Sequence, residues 1–323
     1  MQVMAGARRT SAAFRALPGV RSIGRAPAFL ARSVGGLGLL SLGGCNIELL
    51  NPQGSIGHQE KNLILIALGL MLLVVIPVIA LTLFFAWRYR ATNPKANYQP
   101  KWHHSTAIEW VVWTIPCLIV VFLAVLIWST THALDPYKSL ESKAAPVKVE
   151  VVALDWKWLF IYPDYGVATV NRLEIPAGRP IDFKLTSQSM MNSFFIPELG
   201  SQIYAMAGMQ TQLHLVADRP GTYRGLSSSF SGPGFSDMHF DTIATDDRGF
   251  DAWVKQAKAS PLMLDKANYA VLAKPSEKDP QRVYARVSPG LFDGIVNQYM
   301  SGSAPSAAPM KAMAMRADAR ASE

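Results

Sequence analysis

Acid is missing from the first 44 residues, charge of either sign is missing from two long runs further on, and cysteine is scarce throughout. Each absence excludes something. The front segment holds Arg8, Arg9, Arg15, Arg21, Arg25 and Arg32 with no Asp or Glu, and the stretch 88–101 adds Arg88, Arg90, Lys95 and Lys101. These two stretches account for the formal net charge of +8, because residues 132–300 hold 17 basic against 18 acidic side chains. No basic face remains for a polyanion, which excludes a nucleic-acid partner. Two cysteines, Cys45 and Cys117, cannot build a disulfide framework, and Cys117 lies in an apolar run where packing is its role. Histidines are scattered: His58, His103 and His104 have no carboxylate or thiolate at ligand spacing, and His214 and His239 read as surface residues on alternating strands. No spacing supports a catalytic acid, base or nucleophile.

What is present begins with a leader. After the arginines comes a short apolar run, 34–42, and then Gly43-Gly44-Cys45. Residues 1–44 read as a signal peptide with a long basic front, and Met4 is an alternative start. Arg-rich, acid-poor leaders also suit mitochondrial import. The small residues before Cys45, with Leu42 three positions ahead, resemble a bacterial lipobox instead, which makes Cys45 a lipidation site at the head of a short periplasmic segment, 45–61.

Residues 62–87 and 110–131 carry no charge, and each exceeds the roughly 20 residues a helix needs to cross a bilayer. Pro77 is expected to kink the first, and Pro116 lies in the second. Trp87, Tyr89, Trp102, Trp110 and Trp128 stand near the ends of the spans, as interfacial aromatics do. The basic loop 88–109 is expected in the cytoplasm by the positive-inside rule, leaving Cys45 and everything after 131 in the periplasm of the cell membrane. Glu60 and Glu109 border the spans and read as solvated edge residues.

A polar linker, 132–145, precedes a change of period. Val147, Val149 and Val151 alternate with Lys148, Glu150 and Val152, and Ile181, Phe183 and Leu185 with Asp182, Lys184 and Thr186. Turns at 163–166, 176–180 and 218–221 separate these runs, so 146–248 is expected to form an antiparallel sandwich or Greek-key barrel. Trp156 and Trp158 read as sheet-face packing. From 249 to 300 the pattern turns helical, with Trp253, Val254 and Ala257, then Leu291, Phe292, Ile295 and Val296. Residues 301–323 have the composition of a disordered tail, Met310, Met313 and Met315 included.

The stretch 221–238, G-T-Y-R-G-L-S-S-S-F-S-G-P-G-F-S-D-M, keeps the frame of a two-copper loop, C-x3-C-x3-H-x2-M. Its four positions fall on Ser227, Ser231, Phe235 and Met238. Copper sites of this kind need thiolate and imidazole, and only the thioether remains. A remote imidazole position ahead of S-F-F-I-P is taken by Asn192.

Together with D-W-K-W at 155–158, M-N-S-F-F-I-P at 191–197 and L-G-S-Q-I-Y-A-M-A-G-M-Q-T at 199–211, this loop resembles subunit II of the haem–copper oxidases. The resemblance runs from about 45 to about 300 and is to the copper-less branch, the bo-type ubiquinol oxidases. It implies a two-helix transmembrane hairpin, an all-β cupredoxin-like Greek-key domain and a small aromatic-rich helical C-terminal arm. It also implies a structural, non-redox subunit that binds no cofactor or metal itself. Its partners would be membrane lipid, small membrane subunits and a subunit I carrying haem b, haem o and copper, in a proton-translocating complex that oxidises ubiquinol, reduces oxygen to water and takes no electrons from cytochrome c. An aa-type menaquinol oxidase subunit stands as an alternative. So do a periplasmic copper-binding protein using Met206, Met209, Met238 and His239, and an assembly lipoprotein.

Overall fold

The computed structural model describes residues 48–299, apart from 98, 100, 141 and 143. Cys45, the leader and the tail 301–323 lie outside the described residues.

Two long helices come first, α1 (Ser55–Arg88) and α2 (Thr106–Ala133). Among the described residues, their most apolar stretches are not buried. A helix apolar around its whole circumference whose apolar stretch stays unburied is matched to a hydrocarbon solvent. Pro77 and Pro116 sit inside unbroken helical runs. Both helices outrun their uncharged cores. α1 begins seven residues before 62 because its first turn is docked: Ile56 and Gly57 are buried, and Gly57 N donates to Leu199 O at 3.2 Å. Glu60, expected to be solvated, is half-buried there and accepts a hydrogen bond from Ser201 Oγ. At the start of α2, Glu109 lies in the first turn, where a carboxylate complements the helix dipole. His104 Nδ1 stands 2.7 Å from it, so His104 does have a carboxylate partner, five residues along the chain.

The β domain is two facing sheets. One runs β12-β3-β2-β1-β5-β8 and the other β4-β10-β9-β6-β7, with β1 (Val147–Leu154), β2 (Lys157–Tyr162), β3 (Val167–Val170), β4 (Arg172–Pro176), β5 (Ile181–Ser187), β6 (Asn192–Ile196), β7 (Gly200–Ala205), β8 (Thr211–Leu215), β9 (Gly221–Ser227), β10 (His239–Thr245) and β12 (Arg282–Tyr284). The sheets are mixed where antiparallel pairing was expected: β1 runs parallel to β5 and β4 parallel to β10. Both parallel pairs follow from crossovers between the sheets, which periodicity does not encode. Trp158, Phe160, Phe194 and Phe240 fill the space between, with Phe194 and Phe240 stacked at 5.2 Å and Trp158 set edge-on to both.

All six residues of β2 are buried, because the C-terminal arm covers the sheet's other face. Leu159 and Ile161 join a second apolar cluster with Tyr269, Leu272, Leu291 and Phe292. The arm comprises α3 (Asp247–Lys258), α4 (Lys266–Leu272), α5 (Leu291–Asn297), the short pair β11 (Met263–Leu264) and β13 (Arg286–Val287), and β12, which pairs with β3 at the edge of the large sheet. It was expected to be helical; its strands arise from pairing with distant partners. Asp246 and Asp265 cap α3 and α4, each accepting from the backbone three residues on, at 2.9 and 2.7 Å.

His214, expected at the surface, is buried on β8. Its Nδ1 donates to Pro136 O at 2.9 Å, and its Nε2 lies 3.5 Å from Asp182 Oδ1. The linker after α2 folds back over it, which strand alternation could not reveal. His239 is exposed.

Candidate functional site

Strand pairing brings the former ligand positions together. β6 runs antiparallel to β9 with Phe194 opposite Ser227, so Asn192, the first residue of β6, lies beside the end of β9. Ser227 Oγ donates to Asn192 Oδ1 at 3.2 Å and also contacts Ser229 O at 3.3 Å. Asn192 Nδ2 in turn donates to Met190 O at 3.1 Å. Beyond Ser227 the chain loops through Gly232 at φ 110° and a 3-10 turn, Phe235–Asp237, before returning as β10. Ser227 N donates to Met238 O at 3.2 Å and closes the loop's base. Inside it, Ser231 Oγ points at Met238 Sδ, 3.9 Å away.

Asn192, Ser227, Ser231 and Met238 are all buried. Phe235 is only half-buried and turns away to meet Phe230, edge to face at 5.5 Å, with Phe230 78% exposed. The structure therefore gathers four of the five sequence positions and leaves Phe235 at the rim. Two hydroxyls, one amide oxygen and one thioether do not suit a two-copper centre, whose chemistry requires thiolates to bridge the metals and imidazoles to terminate them. Every polar atom of the set already has a protein partner. The alternative soft ligands stand in unlike settings: Met238 is buried just ahead of β10, His239 beside it is exposed, and Met209 is exposed between β7 and β8.

Trp156 closes the loop from above. It was expected to pack on a sheet face beside Trp158, but it occupies the β1–β2 turn at φ 61°, an uncommon conformation for a bulky residue. Its Nε1 donates to Ser231 O at 3.0 Å, and its ring lies so close over Gly234 that a Cβ there would come within 2.5 Å of it.

Sequence reasoning missed a second polar centre on the same turn. Lys157 is 1% exposed; its Nζ donates to Lys274 O at 2.9 Å, Asp279 Oδ2 at 3.1 Å and Ser276 Oγ. Asp279 also binds Arg282. Burial pushes the Asp279 carboxyl upward, but hydrogen bonds from Ser276 and Lys157 and the charges of Lys157 and Arg282 outweigh it and hold the group below its ordinary value. The available signal was a lysine between two tryptophans at the start of an apolar strand.

Two protein-family models match the chain: "Cytochrome C oxidase subunit II, periplasmic domain" over residues 164–244 and "COX Aromatic Rich Motif" over 258–303. The "Cytochrome bo(3) ubiquinol oxidase subunit 2" of Pseudomonas putida is 56% identical over 263 residues, covering 81% of this chain and 84% of the relative. The "Ubiquinol oxidase subunit 2" of Acetobacter aceti is 55% identical over 272 residues, covering 83% and 88%. Among solved structures, the periplasmic domain of subunit II of cytochrome oxidase from Bradyrhizobium japonicum aligns with a TM-score of 0.35 at 22% identity, over 36% of this chain and 97% of that one.

Proposed function

This chain belongs to the ubiquinol oxidase branch of the haem–copper oxidase subunit II family, and from that premise we propose that it serves its complex without carrying electrons. It is a membrane-anchored subunit with a periplasmic domain, working beside other oxidase subunits. The observation that supports a non-redox role is the filling of the gathered ligand positions by Asn192, Ser227 and Ser231, with Phe235 turned out to the rim. A chain with no thiolate or imidazole there has no route for electrons from a water-soluble carrier such as cytochrome c.

On this reading the donor is ubiquinol, which reaches the haem-bearing subunit I from the lipid, delivers two electrons and releases its protons outward. Haem b, haem o and copper belong to subunit I, where oxygen is reduced to water as protons are translocated. The present chain supplies a helix pair that docks in the membrane and a domain that caps its partner on the periplasmic face. Cys45 adds a lipid anchor. Both relatives described above carry ubiquinol in their names, which favours ubiquinol over menaquinol as the donor.

Copper analysis and the visible spectrum of the purified complex, before and after the subunit II domain is given ligands, test the proposal. The native chain is expected to add no copper and no visible band beyond those of subunit I, and the complex to take up oxygen with ubiquinol but not with reduced cytochrome c. The variant Asn192→His, Ser227→Cys, Ser229→Glu, Ser231→Cys, Phe235→His is expected to gain two coppers and a purple mixed-valence spectrum. Tightly held stoichiometric copper in the native domain would overturn the proposal. A folded but colourless variant would show that the ligand register is wrong.

A further inference from the structure

The turn at 155–157 touches three separate parts of the domain with three consecutive side chains. Asp155 Oδ1 accepts from Ser189 Oγ, in the turn that leads into β6. Trp156 donates to Ser231 O of the metal-free loop. Lys157 grips the arm at Lys274, Ser276 and Asp279. Trp156 also keeps a left-handed backbone that a bulky residue holds only when its surroundings over-determine it.

A second grip lies at the turn between β5 and β6. Three arm residues converge on Gln188: Tyr269 OH donates to its side-chain oxygen, Tyr299 OH to its backbone carbonyl, and Gln298 Oε1 accepts from its Nε2 at 3.2 Å. The Gln188 amide donates to Ala153 O at 2.8 Å, at the end of β1. This one residue thus has both its backbone groups and both its side-chain groups engaged, and the arm supplies three of the four partners. Two residues further on, Met190 O receives Asn192 Nδ2 of the former ligand set.

We propose that the C-terminal arm is a strap that holds the metal-free loop and the start of β6 in register, through Gln188 on one side and through Lys157 and Trp156 on the other. A metal shared between β6 and the β9–β10 loop would tie those segments tightly; with polar side chains and a phenylalanine in its place, the direct ties are hydrogen bonds such as Ser227 Oγ to Asn192 Oδ1 and Ser228 N to Ser193 O, and the arm reinforces them from outside the pocket. The inference does not rest on the identity of the electron donor, since it concerns only what fixes the loop.

Hydrogen exchange on the purified complex tests it. The reporters are the amides of Ser227, Ser228 and Met238, which donate to Met238 O, Ser193 O and Phe235 O at 3.2, 3.1 and 3.0 Å. The amides of the β1–β5 ladder around Val149 and Phe183 serve as the reference. Two variants are used: Lys157→Met, and the milder pair Tyr269→Phe with Tyr299→Phe, which removes only two hydroxyl donors. In the double tyrosine variant the loop amides are expected to exchange roughly five- to tenfold faster, the effect of one or two lost hydrogen bonds, with the ladder unchanged. Lys157→Met is expected to do the same more strongly. If the arm amides of Tyr269 and Ala273 accelerate while the loop stays at the native rate, the strap does not exist. Equal acceleration of loop and ladder in the tyrosine variant would overturn it too, by showing general destabilisation. Should Lys157→Met unfold the domain, the tyrosine variant decides.

Discussion

Two buried polar centres lie on either side of the 155–157 turn, and they are built from opposite materials. On the arm side, Lys157, Asp279 and Arg282 form a charged network, with the first two side chains 1% and 4% exposed. On the loop side, Asn192, Ser227, Ser231 and Met238 form an uncharged set joined by bonds of 3.2 to 3.9 Å. A buried charge requires its partner, whereas a buried hydroxyl requires only one acceptor. The charged centre is therefore the one that tolerates no one-sided change. The neutral centre makes smaller demands: each amide or hydroxyl needs one partner, found within the set or at the backbone carbonyls of Met190 and Ser229.

The largest effect that can break the contrast is Lys157→Met. It keeps most of the apolar stem, leaves Asp279 with Arg282 and Ser276 as its remaining partners and leaves Lys274 O without its donor, which is expected to cost about 2–4 kcal/mol. Urea unfolding of the detergent-solubilised chain, followed by tryptophan fluorescence, reads this directly. A loss no larger than that of a surface substitution would mean that the network is wetter than its burial implies.

The pH dependence separates the centres next. Asp279 is held below its ordinary value of 3.8, so its contribution is complete above that value and disappears as pH falls through the depressed one. Glu150 and Glu174 are held above theirs, chiefly by burial, and contribute with the opposite sign: present at low pH, lost as pH rises through their raised values. A native profile mixes these contributions. The stability difference between the native chain and Asp279→Asn isolates one of them, and is expected to be constant above about pH 5 and to shrink below about pH 4. The corresponding difference for Ser227→Ala is expected to be flat, since nothing in the neutral centre titrates.

The sequence carried the parts of this picture that depend on local pattern. Uncharged runs gave both helices, valines at alternate positions gave β1, and the spacing from Ser227 to Met238 gave a loop whose ends do close, through Ser227 N and Met238 O. What depends on distant partners was not legible. Nothing near Ser55 indicates that the helix starts there, because the reason lies at Leu199. β2 reads as an unbroken apolar run since the arm covers its second face more than a hundred residues later. His214 looks like a surface residue until the linker at Pro136 folds over it. Lys157 has the same character: its partners at 274–279 lie 117 to 122 positions away.

The smallest effects sharpen the comparison from within the neutral centre. Ser227→Ala leaves Asn192 Oδ1 buried without its donor and is expected to cost about 1–3 kcal/mol, the desolvation of an unmet acceptor. Ser231→Ala removes a hydroxyl whose own donation goes to a thioether, a weak acceptor. The stronger bond at that residue, from Trp156, is made to the backbone carbonyl and survives the substitution. Unfolding midpoints are therefore expected to move little for Ser231→Ala, by about 0.5 kcal/mol or less, and clearly for Ser227→Ala. If the two were equal, the pocket would owe its shape to its hydroxyls as a group. If they differ as expected, the shape comes from the backbone of the loop and from the indole above it, and the side chain at 231 is free to be almost anything small.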